Sequence, residues 1–312
     1  MEFANEPHVL AIGETLMDCV QPYGETEPTN EYPGGSPANV AMTLGRLDRP
    51  VALRTWIGKD SRGQKIVEHF SASKVHITED SHGADHTSTA LAALNERGAA
   101  TYTFDFVWNP PHPMELTGNE VLVHAGSISA TTEPGATTVL DALIRARRHA
   151  LITYDPNARP TLMGTPEQAM AQVSRFVAVA DVVKVSDEDI EWLTGCSDLE
   201  KTVQQWLNMG PQVIIVTRGK KGGVAYTASG LYCTSTPADV KVVDTVGAGD
   251  SFMGGIIDAM WGLGLVGSAA RPALRNVTAE QVDAILAHAS AVSDVTVSRA
   301  GANPPWRHEL NA

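Results

Sequence analysis

A carboxylate set beside two glycines opens the chemical reading of this chain. Asp244-Thr245-Val246-Gly247-Ala248-Gly249-Asp250-Ser251-Phe252 follows the β-branched Val240, Val242 and Val243 and runs into an apolar stretch ending at Trp261. That order reads as a glycine-rich turn opening a helix, where unpaired backbone N–H groups and the positive end of the helix dipole converge and can hold an anion. Glycine at 247 and 249 lets the main chain approach a phosphate where a Cβ would crowd it. Asp250 is the odd member. A carboxylate next to an anion site is electrostatically awkward unless it accepts the proton of a hydroxyl attacking phosphorus, so Asp250 is a candidate base. The plainer alternative is that Asp250 caps a core helix.

A second cluster has similar grammar. In Tyr32-Pro33-Gly34-Gly35-Ser36-Pro37-Ala38-Asn39-Val40-Ala41, two glycines precede a capping Ser36 and a proline at the first helical position. Asn39 then falls in the first turn of that helix, where its amide offers a donor and an acceptor to a polyhydroxy ligand. A turn and cap with no ligand is the competing reading. Asp18, after the first strand and Gly13, is equally open. Two familiar phosphate motifs are excluded by spacing. A dinucleotide fingerprint needs a third glycine where Phe252 stands, and the segment from Gly58 to Lys65 lacks the Lys-Ser/Thr of a P-loop.

These residues need a scaffold, and the chain supplies one. Its 312 residues suffice for a large core. Short β-rich runs at Val9 to Ile12, Val51 to Ile57, Val121 to Ala125, Leu151 to Tyr154, Val182 to Val185 and Val213 to Thr217 alternate with amphipathic ones. The helix candidates are Pro37 to Leu47, Gly63 to Ser71, Thr137 to Arg148, Thr165 to Val179 and Leu199 to Met209. Alternation of this kind predicts an α/β fold, a mainly parallel central sheet with helices on both faces. No internal repeat or long linker divides it, so 1–312 reads as a single domain. One stretch breaks the rhythm: Thr87 to Leu94, a turn at Asn95-Glu96-Arg97-Gly98, then Thr101 to Val107 predicts a hairpin. With the polar segment from Gln21 to Pro33 it would make a small β lid, spanning about 14–34 and 85–110.

Composition narrows the partners. With 23 basic and 36 acidic residues the net charge is -13, which argues against nucleic acid and anionic membranes. Cys19, Cys196 and Cys233 are far apart and form no Cys-x-x-Cys pair, so neither a disulfide framework nor a zinc site is expected. The ten histidines lack metal spacing, and His308-Glu309 is no zinc motif. There is no basic region leading into an apolar run and no segment of membrane-spanning length, so a cytoplasmic protein is expected. Trp108, just after the hairpin, is expected to pack in the lid.

Taken together, the motifs resemble the ribokinase-like (PfkB) carbohydrate kinases across nearly the whole chain. The likeness rests on Gly13 to Asp18, Gly34-Gly35 to Asn39, Asp155-Pro156-Asn157-Ala158-Arg159, Val216-Thr217-Arg218-Gly219-Lys220-Lys221-Gly222 and Asp244 to Phe252, in family order. The forms Gly-Glu-Thr-Leu-Met-Asp, Pro-Gly-Gly-Ser-Pro-Ala-Asn and Asp-Pro-Asn-x-Arg look most like bacterial fructokinases. The resemblance implies ATP-dependent phosphorylation of a sugar's primary hydroxyl, fructose to fructose 6-phosphate in the first instance. Asp250 would be the base, and Gly247, Ala248 and Gly249 the anion hole. Asp18, Gly34, Gly35 and Asn39 would hold the sugar, with Ser127 and Arg159 as further contacts. Thr217, Gly219 and Gly222 would cradle ATP, joined by Lys184, Ser186 and Gly249.

Mg²⁺ is implied with the nucleotide and K⁺ behind the anion hole, the latter held by Asp244, the Val246 carbonyl and the Gly301 region. The lid would close over the sugar and pair two subunits in a homodimer. One departure stands out. At Lys184-Val185-Ser186-Asp187-Glu188-Asp189 the family usually has Asn-x-x-Glu, so Ser186 replaces Asn and Asp189 replaces Glu. Asp189 is carried as a residue ordering water around Mg²⁺; the alternative is an acidic first turn on a helix dipole. Two rival functions are kept. One is a kinase for 2-keto-3-deoxygluconate or another sugar, since Arg159 could pair with a substrate carboxylate. The other, from a different class, is a non-catalytic sugar or nucleotide sensor.

Overall fold

The computed structural model describes residues 5–96, 99–196, 198–236 and 238–310. Its centre is a nine-stranded sheet. In chain order the strands are β1 (His8–Ile12), β4 (Val51–Arg54), β6 (Val75–Ile77), β10 (Glu120–Gly126), β11 (Leu151–Asp155), β12 (Val182–Ser186), β13 (Val213–Thr217), β14 (Gly223–Thr227) and β15 (Tyr232–Thr234). In space they run β15-β14-β13-β12-β11-β10-β1-β4-β6. From β6 to β13 every pairing is parallel, and the antiparallel β14 and β15 finish one edge.

The predicted fold class is therefore the observed one, an α/β fold of the ribokinase-like kind. Its cause is visible in β1, whose five residues are all buried, as a strand covered on both faces must be. Alternate side chains serve two cores. Val9 and Ala11 join one with helices α1 (Ser36–Arg46), α2 (Ser61–Ser71), α7 (Ala248–Gly262) and α9 (Ala279–Val297). Leu10 and Ile12 join the other with α3 (Gly135–Ala146), α4 (Pro166–Val177), α5 (Asp187–Thr194) and α6 (Leu199–Leu207).

A second sheet of four strands covers one end of the first. It is ordered β3 (Asn30–Gly34), β2 (Leu16–Gln21), β8 (Thr89–Leu94), β9 (Ala100–Asp105). β8 and β9 form the expected antiparallel hairpin, Leu94 opposite Ala100, and β2 joins it to the N-terminal segment with Asp18 opposite both Tyr32 and Ala90. Arg97 and Gly98 of the expected turn lie outside the described residues. Trp108 is no part of this sheet. It is buried beside the start of α3, with its indole against Gly135, where a Cβ would stand 2.2 Å from Cδ1.

One segment differs from the sequence expectation for an identifiable reason. The single strand expected from Val51 to Ile57 is two, β4 and the short β5 (Ile57–Gly58), which pairs with β7 (His82–Ala84). Between them the Thr55 amide donates to Ser81 Oγ at 3.0 Å and the Thr55 hydroxyl accepts from the Thr15 amide at 3.0 Å, so side chains replace the ladder. Val240 to Val243, for all its β-branching, joins no sheet. The Val243 amide instead donates to the Val297 carbonyl at the end of α9, at 2.8 Å.

Candidate active site

The parallel strands β1, β10, β11, β12 and β13 all point their carboxyl ends the same way, and the residues that follow them meet at the start of α7. Ligand sites of open α/β sheets form at this edge. α7 begins with Gly247 at φ 73, a left-handed conformation that glycine adopts at no steric cost, followed by Ala248, Gly249 and Asp250 in its first turn. A Cβ at Gly249 would stand 2.8 Å from Lys184 Nζ, so the missing side chain is what lets an ammonium sit under the helix start. The Ala248 amide donates to the Thr245 carbonyl at 3.2 Å, closing the turn. The next two amides, of Gly249 and Asp250, belong to a first helical turn, which offers them no intrahelical acceptor.

Asp250 is buried, and its carboxylate is held by neutral donors. Ser36 Oγ donates to Oδ1 at 2.7 Å, Asn157 Nδ2 to Oδ1 at 3.3 Å, and Asn39 Nδ2 to Oδ2 at 2.9 Å. Thus the starts of α1 and α7 face each other, as two glycine-rich helix openings with one carboxylate between them. Asn157 lies inside a quoted motif without a role of its own, and Ser36 is not the cap its type suggests: Gly35 takes that position, and the Ser36 hydroxyl, free of the cap, reaches Asp250.

Beneath this group lies a buried ion pair, Lys184 Nζ to Asp155 Oδ2 at 2.9 Å. Burial alone would discharge the lysine, but Asp155, with Asp189 and Asp250 beyond it, holds its ammonium above the ordinary value. His124, deep in β10, is pushed down to about 3 by burial and by the Lys184 charge, so it stays neutral; its Nδ1 is 3.0 Å from Thr153 Oγ1.

The helix start opens into a cleft of about 910 Å³. It is lined by Thr217, Gly219 and Gly222, by Lys184 and Gly249, and by Val240 and Val242. Thr217 ends β13, and Gly219 and Gly222, at φ 51 and 79, shape the turn that follows. Ser186 and Asp189 also border the cleft. They form a reciprocal cap at the start of α5: Ser186 Oγ accepts from the Asp189 amide at 2.9 Å, and Asp189 Oδ2 from the Ser186 amide at 3.3 Å. Asp189 Oδ1 takes the Ala158 amide at 3.0 Å, so both oxygens of that carboxylate are engaged by backbone.

The remaining sugar-contact candidates come from the four-stranded sheet and from the segments after β10 and β11. Asp18 is solvent-accessible on β2, yet the surrounding walls push its carboxyl up to about 6 by desolvation, with Arg159 pulling the other way. A Cβ at Gly34 would stand 2.5 Å from Asp18 Oδ2. Ser127, at the end of β10, is buried with φ 58. The Arg159 guanidinium is folded onto its own loop, where Nη1 donates to Asn157 Oδ1 at 2.7 Å. Behind α7, Asp244 Oδ1 accepts from the Val246 amide at 3.0 Å and Oδ2 from the Gly301 amide at 2.8 Å. The three positions singled out for a cation are therefore hydrogen-bonded together, through the Val246 and Gly301 amides.

Facing helix starts with a carboxylate between them, a buried ammonium below and a cleft alongside form an arrangement suited to bringing a hydroxyl to a phosphoryl group. The model for pfkB family carbohydrate kinases matches residues 6–309, and the chain belongs to that family. Fructokinase from Rhizobium leguminosarum bv. trifolii is 32% identical over 263 residues, 81% of this chain and 79% of the relative. Among solved structures, fructokinase with bound ATP from Xylella fastidiosa superposes with a TM-score of 0.82 at 24% identity, covering 98% of each chain. A double-mutant fructokinase from Vibrio cholerae O395, solved with fructose, ADP and a potassium ion, gives 0.75 at 25% identity, covering 95% of this chain and 93% of that one. The protein is an ATP-dependent sugar kinase.

Proposed function

We propose that the sugar is fructose and the product fructose 6-phosphate. The observation that carries this reading is the charge of the acceptor side. Asp18 and Asp250 present two carboxylates to the substrate, whereas Arg159, the cation there, already donates to Asn157. Carboxylates accept hydroxyl hydrogens and repel an anion, so a neutral polyol suits the pocket better than an acid sugar. The fructokinases among the relatives support the same choice.

In this mechanism Asp18, Gly34, Gly35, Asn39, Ser127 and Arg159 hold the sugar with its primary hydroxyl toward Asp250. Asp250 takes the proton as the oxygen attacks the γ-phosphorus. The Gly247–Gly249 turn and the Lys184 ammonium stabilise the charge that develops on the transferring phosphoryl group. Thr217, Gly219, Gly222 and Ser186 hold the nucleotide. Closure of the four-stranded sheet would exclude water and limit ATP hydrolysis.

The donor set suits the two ions unequally. Among the described residues no group of three or more His, Cys, Asp or Glu is arranged to hold a metal. Mg²⁺ would therefore enter on the ATP phosphates, whose charge it neutralises, with Asp189 reaching it through water. The Asp244 segment suits K⁺ better, since its carboxylate, which already gathers the Val246 and Gly301 amides, would be joined by backbone carbonyl oxygens of the same segments. The lid's outer strands, β3 and β9, carry exposed Tyr32 and Tyr102, and a homodimer through them belongs to the same proposal, as does a cytoplasmic location.

The test is turnover on a panel of neutral and acidic sugars, followed by release of ADP. Fructose should give the highest kcat/KM. Faster turnover of 2-keto-3-deoxygluconate would overturn the assignment in favour of an acid-sugar kinase, and sugar binding without ADP release would make the protein a sensor.

A further inference from the structure

Glu14 sits just past the end of β1 and is almost wholly buried, with 3% of its surface exposed. Among the described residues no cation forms an ion pair with it. Its Oε1 accepts from the Ser36 amide at 3.4 Å and its Oε2 from the Ser129 amide at 3.2 Å. Burial pushes its carboxyl up, and the hydroxyls of Ser127 and Ser129 are among the donors that pull it back. Two chain segments, far apart in sequence, thus close on the side chain of a third. The fit is tight. Gly35 has φ 121, and a Cβ there would stand 2.3 Å from the Glu14 carbonyl oxygen. The chain continues from each contact into the acceptor site. Ser36 donates its hydroxyl to Asp250 at 2.7 Å, and the Ser129 end holds the turn that carries Ser127.

We propose that Glu14 is a positioning residue for the acceptor half of the reaction. Through Ser36 it sets where the Asp250 carboxylate stands, and through Ser129 it sets the turn bearing Ser127. This rests on the kinase reading above and deepens it. A misplacement of about 1 Å between base and hydroxyl can cost on the order of 10²-fold in rate, so a brace this close to Asp250 acts on chemistry rather than on folding alone. The nucleotide side lies beyond its reach. Thr217 and Gly219 hang on β13, which makes none of these contacts.

Glu14→Gln keeps the shape but turns an NH₂ toward one of two backbone N–H groups. Steady-state kinetics per folded molecule should show kcat on the preferred sugar falling roughly tenfold to 100-fold, with KM for ATP changed by less than about twofold. Ser36→Ala should lower kcat about tenfold with KM for ATP held, and Ser36→Thr, which restores a hydroxyl, should recover most of it. Wild-type kcat in both Glu14→Gln and Ser36→Ala, or equal losses on the sugar and ATP sides, would overturn the proposal. If Glu14→Gln does not fold, the Ser36 pair decides it.

Hydrogen exchange gives a readout independent of turnover. In Glu14→Gln, peptides covering Ser36 and Ser129 should exchange faster while the one covering Thr217 does not. Unchanged exchange at both would refute the brace even if the wild type phosphorylated no sugar on the panel. Absence of wild-type turnover alone would instead refute the kinase substrate assignment.

Discussion

Two aspartates on one helix live by opposite rules. Asp250 and Asp258 both lie on α7, eight residues and roughly 12 Å apart at the helical rise, and both are buried. Asp258 is saturated by cations. Arg49 from beyond α1, His288 from α9 and Arg307 near the C-terminus all converge on it. Burial works against its charge, but these three partners win and hold the carboxyl well below its usual range. Among the described residues, Asp250 accepts from one hydroxyl and two side-chain amides. A carboxylate locked among cations joins three segments and has no appetite for a proton. One held by neutral donors keeps its orientation and remains able to accept a hydrogen from a substrate.

The largest expected effect tests that contrast directly. Asp250→Asn should lower kcat by about 10²- to 10⁴-fold, the usual scale for removing a general base, while sugar binding by calorimetry and the thermal midpoint stay near wild type. Asp258→Asn should do the reverse. It leaves two arginines short of a counter-charge and His288 short of its acceptor, at a cost of about 3 kcal/mol in denaturant unfolding, the low end of the range because all three side chains keep contact with water. Its kcat per folded molecule should stay within about twofold of wild type. If Asp258→Asn abolished turnover in folded protein, or Asp250→Asn merely destabilised it, the division of labour along α7 would be wrong.

A smaller effect separates the two ends by pH. The Asp258 carboxyl is depressed in the fold, so its contribution to stability is present above the unfolded value and is lost only as strong acid protonates it. Asp18 has the opposite sign. Its carboxyl is raised to about 6, so between its ordinary value of 3.8 and about 6 the folded chain holds a proton that the unfolded chain has released. Acidification through that window favours the fold slightly, yet removes an acceptor from the sugar pocket. KM for the sugar should therefore rise as pH falls through about 6, with KM for ATP flat, and Asp18→Asn should erase the dependence. A sugar KM that is level from pH 7.5 to 5 would show that Asp18 does not bind the substrate as an anion.

The same contrast explains what could be read in the sequence. The Gly247–Asp250 turn was legible because glycine is needed where φ is positive and where Lys184 crowds the helix start, and those needs are local. The parallel core was legible because strands such as β1 and β11 are buried along their whole length. Contacts between distant segments were not. Ser36 and Asp250 are separated by 214 positions, and nothing in the type of either residue announces their bond. Glu14 reads as one more polar residue after a strand until the 127–130 turn folds against it. The break between β4 and β5 was hidden for a related reason, since Thr55 leaves the ladder for hydroxyl partners that only the fold brings near.

The smallest effect concerns Ser186 and Asp189, where the sequence leaves nucleotide contact and helix cap in competition. As the two side chains stand, they cap each other's amides and Asp189 also ties down Ala158, the neighbour of the Asp250 donor Asn157. Losing a serine cap costs about 1 kcal/mol, so Ser186→Ala should lower unfolding free energy by that amount. If the cap is its main task, KM for ATP should move by less than about threefold, because Gly219 and Gly222 still line the cleft. A tenfold rise in KM for ATP with unaltered stability would mean that the hydroxyl leaves its cap to meet the nucleotide. α5 would then belong with Asp250, as a helix start kept for the substrate, rather than with Asp258.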